Sequence, residues 1–218
     1  MTTLTSRLKR SIAPLHDSIE GLPIAQAMAG GSISREDYSQ LLQRMLRFHE
    51  EFDPVLRSRA PLFGLFAEGQ CRAGAVARDL RTLTHRQPSA PTAEVVELPW
   101  RSQLAAWANG EGAGLVGALY VVEGSRMGSL FLAKSLARGL GVPAEPGCGL
   151  DYHLEGAAIR PRSWQSFKQQ LDRIPFTTGQ QTEIVDAAVA TMQHLHGLYE
   201  SCDVEPEASL PVATGSVR

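Results

Sequence analysis

Tyr120-Val-Val-Glu-Gly124-Ser-Arg-Met-Gly128-Ser129 interrupts an apolar run with two glycines four residues apart. The flanking residues, over 112–140, have the length and apolar content of one long helix, closed by Gly141 and Pro143. Glycine inside a helix costs about 1 kcal/mol relative to alanine, so its recurrence asks for a reason. Gly117, Gly124 and Gly128 share one face, with Ser125 and Ser129 beside it. Such a stripe either admits a neighbouring helix closely or leaves backbone bare for a flat ligand. Spacing alone leaves both readings open.

The rest of the chain reads as helices. Leu4, Leu8, Ile12, Leu15 and Ile19 form one apolar stripe, with Pro14 expected to kink it and Gly21 and Pro23 to end it. Ser34 is the expected N-cap of a second helix reaching about Arg57, with Asp37 three residues on. Its buried face is expected to carry Tyr38, Leu41, Leu42, Met45, Phe48 and Phe52. Segments 62–68 and 71–85 read as shorter helices, 86–92 as a loop and 144–161 as an irregular connector. Two final helices are expected over 164–173 and 178–201. With no alternating strand pattern and no internal repeat, the expected fold is all-α: a single domain over 1–202 and a disordered tail over 203–218.

Bulk properties narrow the function classes. The chain has 218 residues, 43% of them hydrophobic, and a net charge of −2, so no global field recruits nucleic acid or an anionic membrane. Cys71, Cys148 and Cys202 show no CxxC spacing, which argues against a zinc site or a disulfide framework. The N-terminus lacks signal-peptide order, and the longest apolar stretch stops at Glu123, short of a bilayer span. A cytoplasmic location is the expectation.

His16 lies four residues after Ile12 and three before Ile19, which projects it from the apolar face. Glu20, one turn later, can reach its ring and fix the tautomer. That pair is either a core-edge histidine satisfied by a carboxylate or a metal ligand held in one orientation. His49, His85, His153, His194 and His196 are expected in solvated or capping roles.

Three segments carry a resemblance. Leu8, Lys9, Ser11, His16 and Glu20, the run from Leu119 to Gly128, and the Trp164-x-x-Phe167 pattern are similar to corresponding segments of the haem oxygenases, particularly the bacterial biliverdin-producing ones. The resemblance implies a helical bundle with haem held between a proximal N-terminal helix and a glycine-containing distal helix. It implies His16 as the iron ligand, and Gly124, Ser125 and Gly128 as the distal catalytic face. Glu20 and Tyr120 are implied as further cofactor contacts, and Lys9, Lys168 and Arg173 as partners of the haem propionates. The implied reaction is oxidative cleavage of haem to biliverdin, carbon monoxide and ferrous iron, using O2 and electrons from a ferredoxin or a flavin/NADPH reductase. Three positions depart from the family pattern: Ser11, where threonine is commoner; Ser125, where the animal enzymes have aspartate; and Arg126, where a smaller or neutral residue is usual. The rival readings are a haem-binding sensor or carrier without turnover, and a haem-free protein on the same scaffold.

Overall fold

Thr3 opens the first helix: its side-chain oxygen accepts the Ser6 N–H at 3.2 Å, satisfying one of the free donors of the first turn. The helix, α1 (Leu4–Glu20), runs through Pro14. The computed structural model describes residues 3–84 and 98–202. His85, the expected loop over 86–92 and the expected tail over 203–218 lie outside them. Every regular element among the described residues is helical.

After α1 come α2 (Pro23–Gly30), ended by Gly31 at φ 74°, and α3 (Arg35–Ser58). Ser34 caps α3 as expected, accepting the Asp37 N–H at 3.0 Å and donating its hydroxyl to the Asp37 carboxylate at 2.6 Å. The face from Tyr38 to Phe52 is buried as the periodicity requires. Over 62–68 the single expected helix is instead two 3-10 turns, Leu62–Gly64 and Glu68–Gln70, because Leu62 and Phe63 adopt positive φ and break the ladder. The next helix, α4 (Ala73–Thr84), is capped from afar: the Asp53 carboxylate accepts the N–H groups of Arg72 and Ala73 at 2.7 and 2.8 Å.

Then follow α5 (Leu98–Asn109), α6 (Ala113–Leu140), a single turn α7 (Asp151–Leu154) inside the connector, α8 (Arg160–Arg173) and α9 (Thr178–Glu200). The ends of α6 are set by Gly112 and Gly141, both with positive φ. α9 begins with a reciprocal capping box between Thr177 and Gln180. By length and composition α6 is apolar enough to cross a membrane, longer than a run ending at Glu123 suggests; half of its most apolar window is buried inside the bundle.

α6 is the axle of the fold. It packs most extensively on α9, and also on α2, α5, α7 and α8. Residues 113–123 are buried throughout, whereas 124–132 are half-buried or exposed. α1 packs on α9, α8 and α2 but has no extensive contact with α6. The middle of α6 and the His16 side of α1 are therefore both left uncovered by the other helices.

Candidate functional site

The glycines of α6 locate the uncovered stretch along the helix. A Cβ on Gly117 would collide with the Ile184 carbonyl of α9, so this glycine is a helix-packing device rather than part of an open face. At the other end, a Cβ on Gly139 would come within 2.8 Å of the Gly31 carbonyl that follows α2. Between these closed contacts, a Cβ on Gly124 would rest at 3.6 Å from the indole of Trp164, and one on Gly128 would meet nothing within 4 Å. One helix face is thus sealed by α9, then by Trp164, left open at Gly128, and sealed again by α2.

α1 contributes His16. Its side chain is 56% exposed, so it does not tuck into the apolar stripe as its spacing suggests; Ile12, Leu15 and Ile19 are themselves only half-buried there. Nδ1 of His16 lies 3.6 Å from Glu20 Oε1, within ion-pair reach and just beyond a direct hydrogen bond. Asp17 joins them in a compact exposed trio of ligand-type side chains.

The other expected site residues lie on α1, α6 and α8. Ser125 donates its hydroxyl to the Val122 carbonyl at 2.8 Å, and Ser129 to the Ser125 carbonyl at 3.3 Å, so both protons are engaged with the helix's own backbone. Tyr120 is buried with its ring 5.1 Å from that of Trp164, and burial raises its pKa. The Lys168 ammonium sits 5.3 Å over the Trp164 ring. Lys9 and Arg173 are exposed. Asp172 accepts the N–H and the hydroxyl of Thr5 at 2.9 and 2.7 Å, which pins the end of α8 to the start of α1. Arg173 and Lys9 therefore flank one seam, Lys9 one turn after Thr5. Met45 and Phe48 are core residues, Phe48 stacked on Phe52 and Trp100.

A buried polar network escapes sequence reading. His49 is fully buried, not solvated: its Nδ1 lies 3.2 Å from Asp53 and its Nε2 3.1 Å from the Tyr152 hydroxyl. Burial lowers its pKa against the upward pull of Asp53. His153 is likewise buried, and burial with Arg160 and Arg72 nearby pushes it down to about 3. Of the rest, His194 stacks on Trp100 and His196 shares a 2.9 Å hydrogen bond with Ser18. Arg126 is largely buried rather than reaching into solvent. It pairs with Glu123 at 2.7 Å, while its carbonyl accepts from the buried Arg160 guanidinium at 2.6 Å. Only the four-residue spacing of His49 and Asp53 could have hinted at this; their other partners lie far along the chain.

The heme oxygenase family model matches residues 2–200. The chain belongs to the haem oxygenase family. A heme oxygenase of Xanthomonas campestris pv. campestris (strain 8004) is 28% identical over 173 residues, covering 78% of this chain and 93% of the relative. The structure of heme oxygenase from Leptospira interrogans superposes with a TM-score of 0.79 at 18% identity, over 92% of this chain and 99% of that one. Heme oxygenase-1 from Synechocystis sp. PCC6803, in complex with heme, gives 0.75 at 13% identity over 90% of each chain. Haem degradation is the activity of this family and of this enzyme. Two features suit a flat macrocycle: an uncovered backbone at Gly128 of α6, and an exposed imidazole at His16 of α1.

Proposed function

We propose that His16 would ligate the haem iron and that haem would lie in a slot between α1 and the Gly124–Gly128 segment of α6. The observation carrying this reading is the exposed His16 ring with its Nδ1 turned to Glu20. That orientation leaves Nε2 for iron, and the carboxylate holds the tautomer that ligation requires. When bound, haem supplies both the iron that activates O2 and the carbon bridge that is oxidised, yielding biliverdin, carbon monoxide and ferrous iron. Electrons come from an external donor, a ferredoxin or a flavin/NADPH reductase.

The chain's own part is seating and electrostatics. Gly128 lets the macrocycle reach the helix backbone, and Trp164, seated on Gly124, walls one end. Lys9, Lys168 and Arg173 supply cations at the α1–α8 seam for the two propionates. The Ser125 proton is committed to Val122, so its oxygen lone pairs can accept from a water at the distal face and hold a proton donor there without an aspartate.

His16→Ala tests the assignment. The fold persists, since alanine is a good helix former and the ring is exposed. The variant loses the histidine-ligated spectrum and biliverdin formation, and added imidazole restores part of both. An unaltered iron–histidine stretch in resonance Raman would assign the ligand to another residue. Retained haem binding in the wild type with no conversion to biliverdin would instead make the protein a carrier.

A further inference from the structure

A single exposed phenylalanine is ordinary on a protein surface; the position of Phe131 is not. Among the described residues it is the most exposed large hydrophobic, at 81%, against 65% for Ile159 and 39% for Phe63. Seven residues after Gly124, it lies within about 20° of that glycine around α6, on the same face, and about 10 Å further along the axis. This is the face that α9 seals at Gly117 and α2 seals at Gly139. Trp164 and Phe131 therefore bracket the uncovered Gly128, the indole one turn before it and the phenyl one turn after. The indole is held by Tyr120, Phe167 and Lys168, whereas the phenyl has no aromatic neighbour among the described residues.

We propose that Phe131 is a haem-seating and specificity residue: it lies against the macrocycle at the α2 end of the slot and fixes which meso edge faces the distal backbone. This rests on the reading of the slot as the haem site. Cations at the α1–α8 seam hold one edge of the macrocycle through its propionates, but a flat ring on bare backbone can still slide along α6 or turn in its own plane. An aromatic stop at each end of Gly128 restricts both motions. It also accounts for a phenyl ring exposed on an otherwise uncovered face, since the ring is buried once haem is bound.

The test compares Phe131→Ala and Phe131→Leu with wild type in the full chain, by hemin titration of the Soret band, haem loss to apomyoglobin, and chromatographic separation of biliverdin isomers. Phe131→Ala weakens hemin binding about tenfold, speeds haem loss, and yields a mixture of isomers where wild type gives one dominant product; Phe131→Leu is intermediate. Apo-protein melting by circular dichroism stays at the wild-type value, because the ring is exposed in the bundle. Unchanged affinity and an unchanged isomer ratio would overturn the proposal, including when reduction by the electron donor slows, a result that would make Phe131 part of a donor-docking surface. His16→Ala, run in parallel, separates the two levels. If it keeps the histidine-ligated spectrum, the haem-site reading itself falls; if it loses that spectrum while Phe131→Ala behaves as wild type, only the role of Phe131 falls.

Discussion

Gly117 and Gly128 stand on the same helix, yet a methyl group on one would strike the Ile184 carbonyl and on the other would meet open space. Gly128→Val should therefore leave apo-protein melting within a few degrees of wild type, since valine matches or slightly exceeds glycine in helix propensity and nothing is overpacked. Its branched side chain would fill the slot, so hemin affinity should fall by at least tenfold and biliverdin formation with it. A substantial drop in apo melting temperature would mean that a neighbour packs on Gly128 after all. Glu20→Gln should keep haem bound but lower the iron–histidine stretching frequency, because a neutral amide is a poorer partner for the His16 ring. An unmoved frequency would reduce Glu20 to a surface carboxylate. At this scale the His16–Glu20 spacing and the paired glycines were legible in the sequence. The contrast between Gly117 and Gly128 was not, because what each glycine faces depends on a helix distant in sequence.

Among the elements, α1, α3, α4, α6 and α9 lie close to where the sequence places them, with Ser34 and Gly141 at the expected ends, while α8 ends at Arg173 as expected but begins at Arg160, four residues before Trp164 and inside the expected connector. α2 and α5 were not legible. The first has only eight residues, and the second, with Pro99 near its start, carries no clean stripe although Trp100 and Leu104 are core residues. These two are what closes the bundle around α6. Gly117→Ala tests how tightly the axle is held: the clash is with α9 backbone rather than a flexible side chain, so relief requires the helices to part. The expected cost is about 2–3 kcal/mol of unfolding free energy, read from urea melts of the apo protein. A cost below about 0.5 kcal/mol would show that α6 and α9 are not in close contact there.

For the whole molecule, the buried network around α7 couples stability to pH. His49 and His153 are held neutral by burial, so the unfolded chain, with histidine pKa near 6.5, takes up protons that the folded protein refuses. Stability present above pH 6.5 is therefore lost progressively as pH falls below it, for His153 down to about 3. Asp79 acts oppositely: burial raises it to about 6, so its protonation favours the fold as pH drops from there toward its unfolded value. Two histidines outweigh one carboxyl in the upper part of this window, and unfolding free energy should fall between pH 7 and pH 5. His153→Phe removes one of the two groups and should flatten that fall by about 2 kcal/mol, whatever its effect at pH 7. Parallel pH profiles for variant and wild type would exclude His153 as a contributor.

The amino-acid pattern by itself determined the helical class, most of the longer helices, the Ser34 cap, the Gly141 stop and the two segments that resemble the family's haem-binding helices, because helix period, capping and local motif act over a few residues. Only the tertiary structure decided which glycine is packed and which is bare, that His16 stands exposed, and that His49, His153 and Arg126 belong to a buried network. Each of these depends on what a side chain or a missing side chain meets across the bundle, and such contacts join residues tens of positions apart that no local period records.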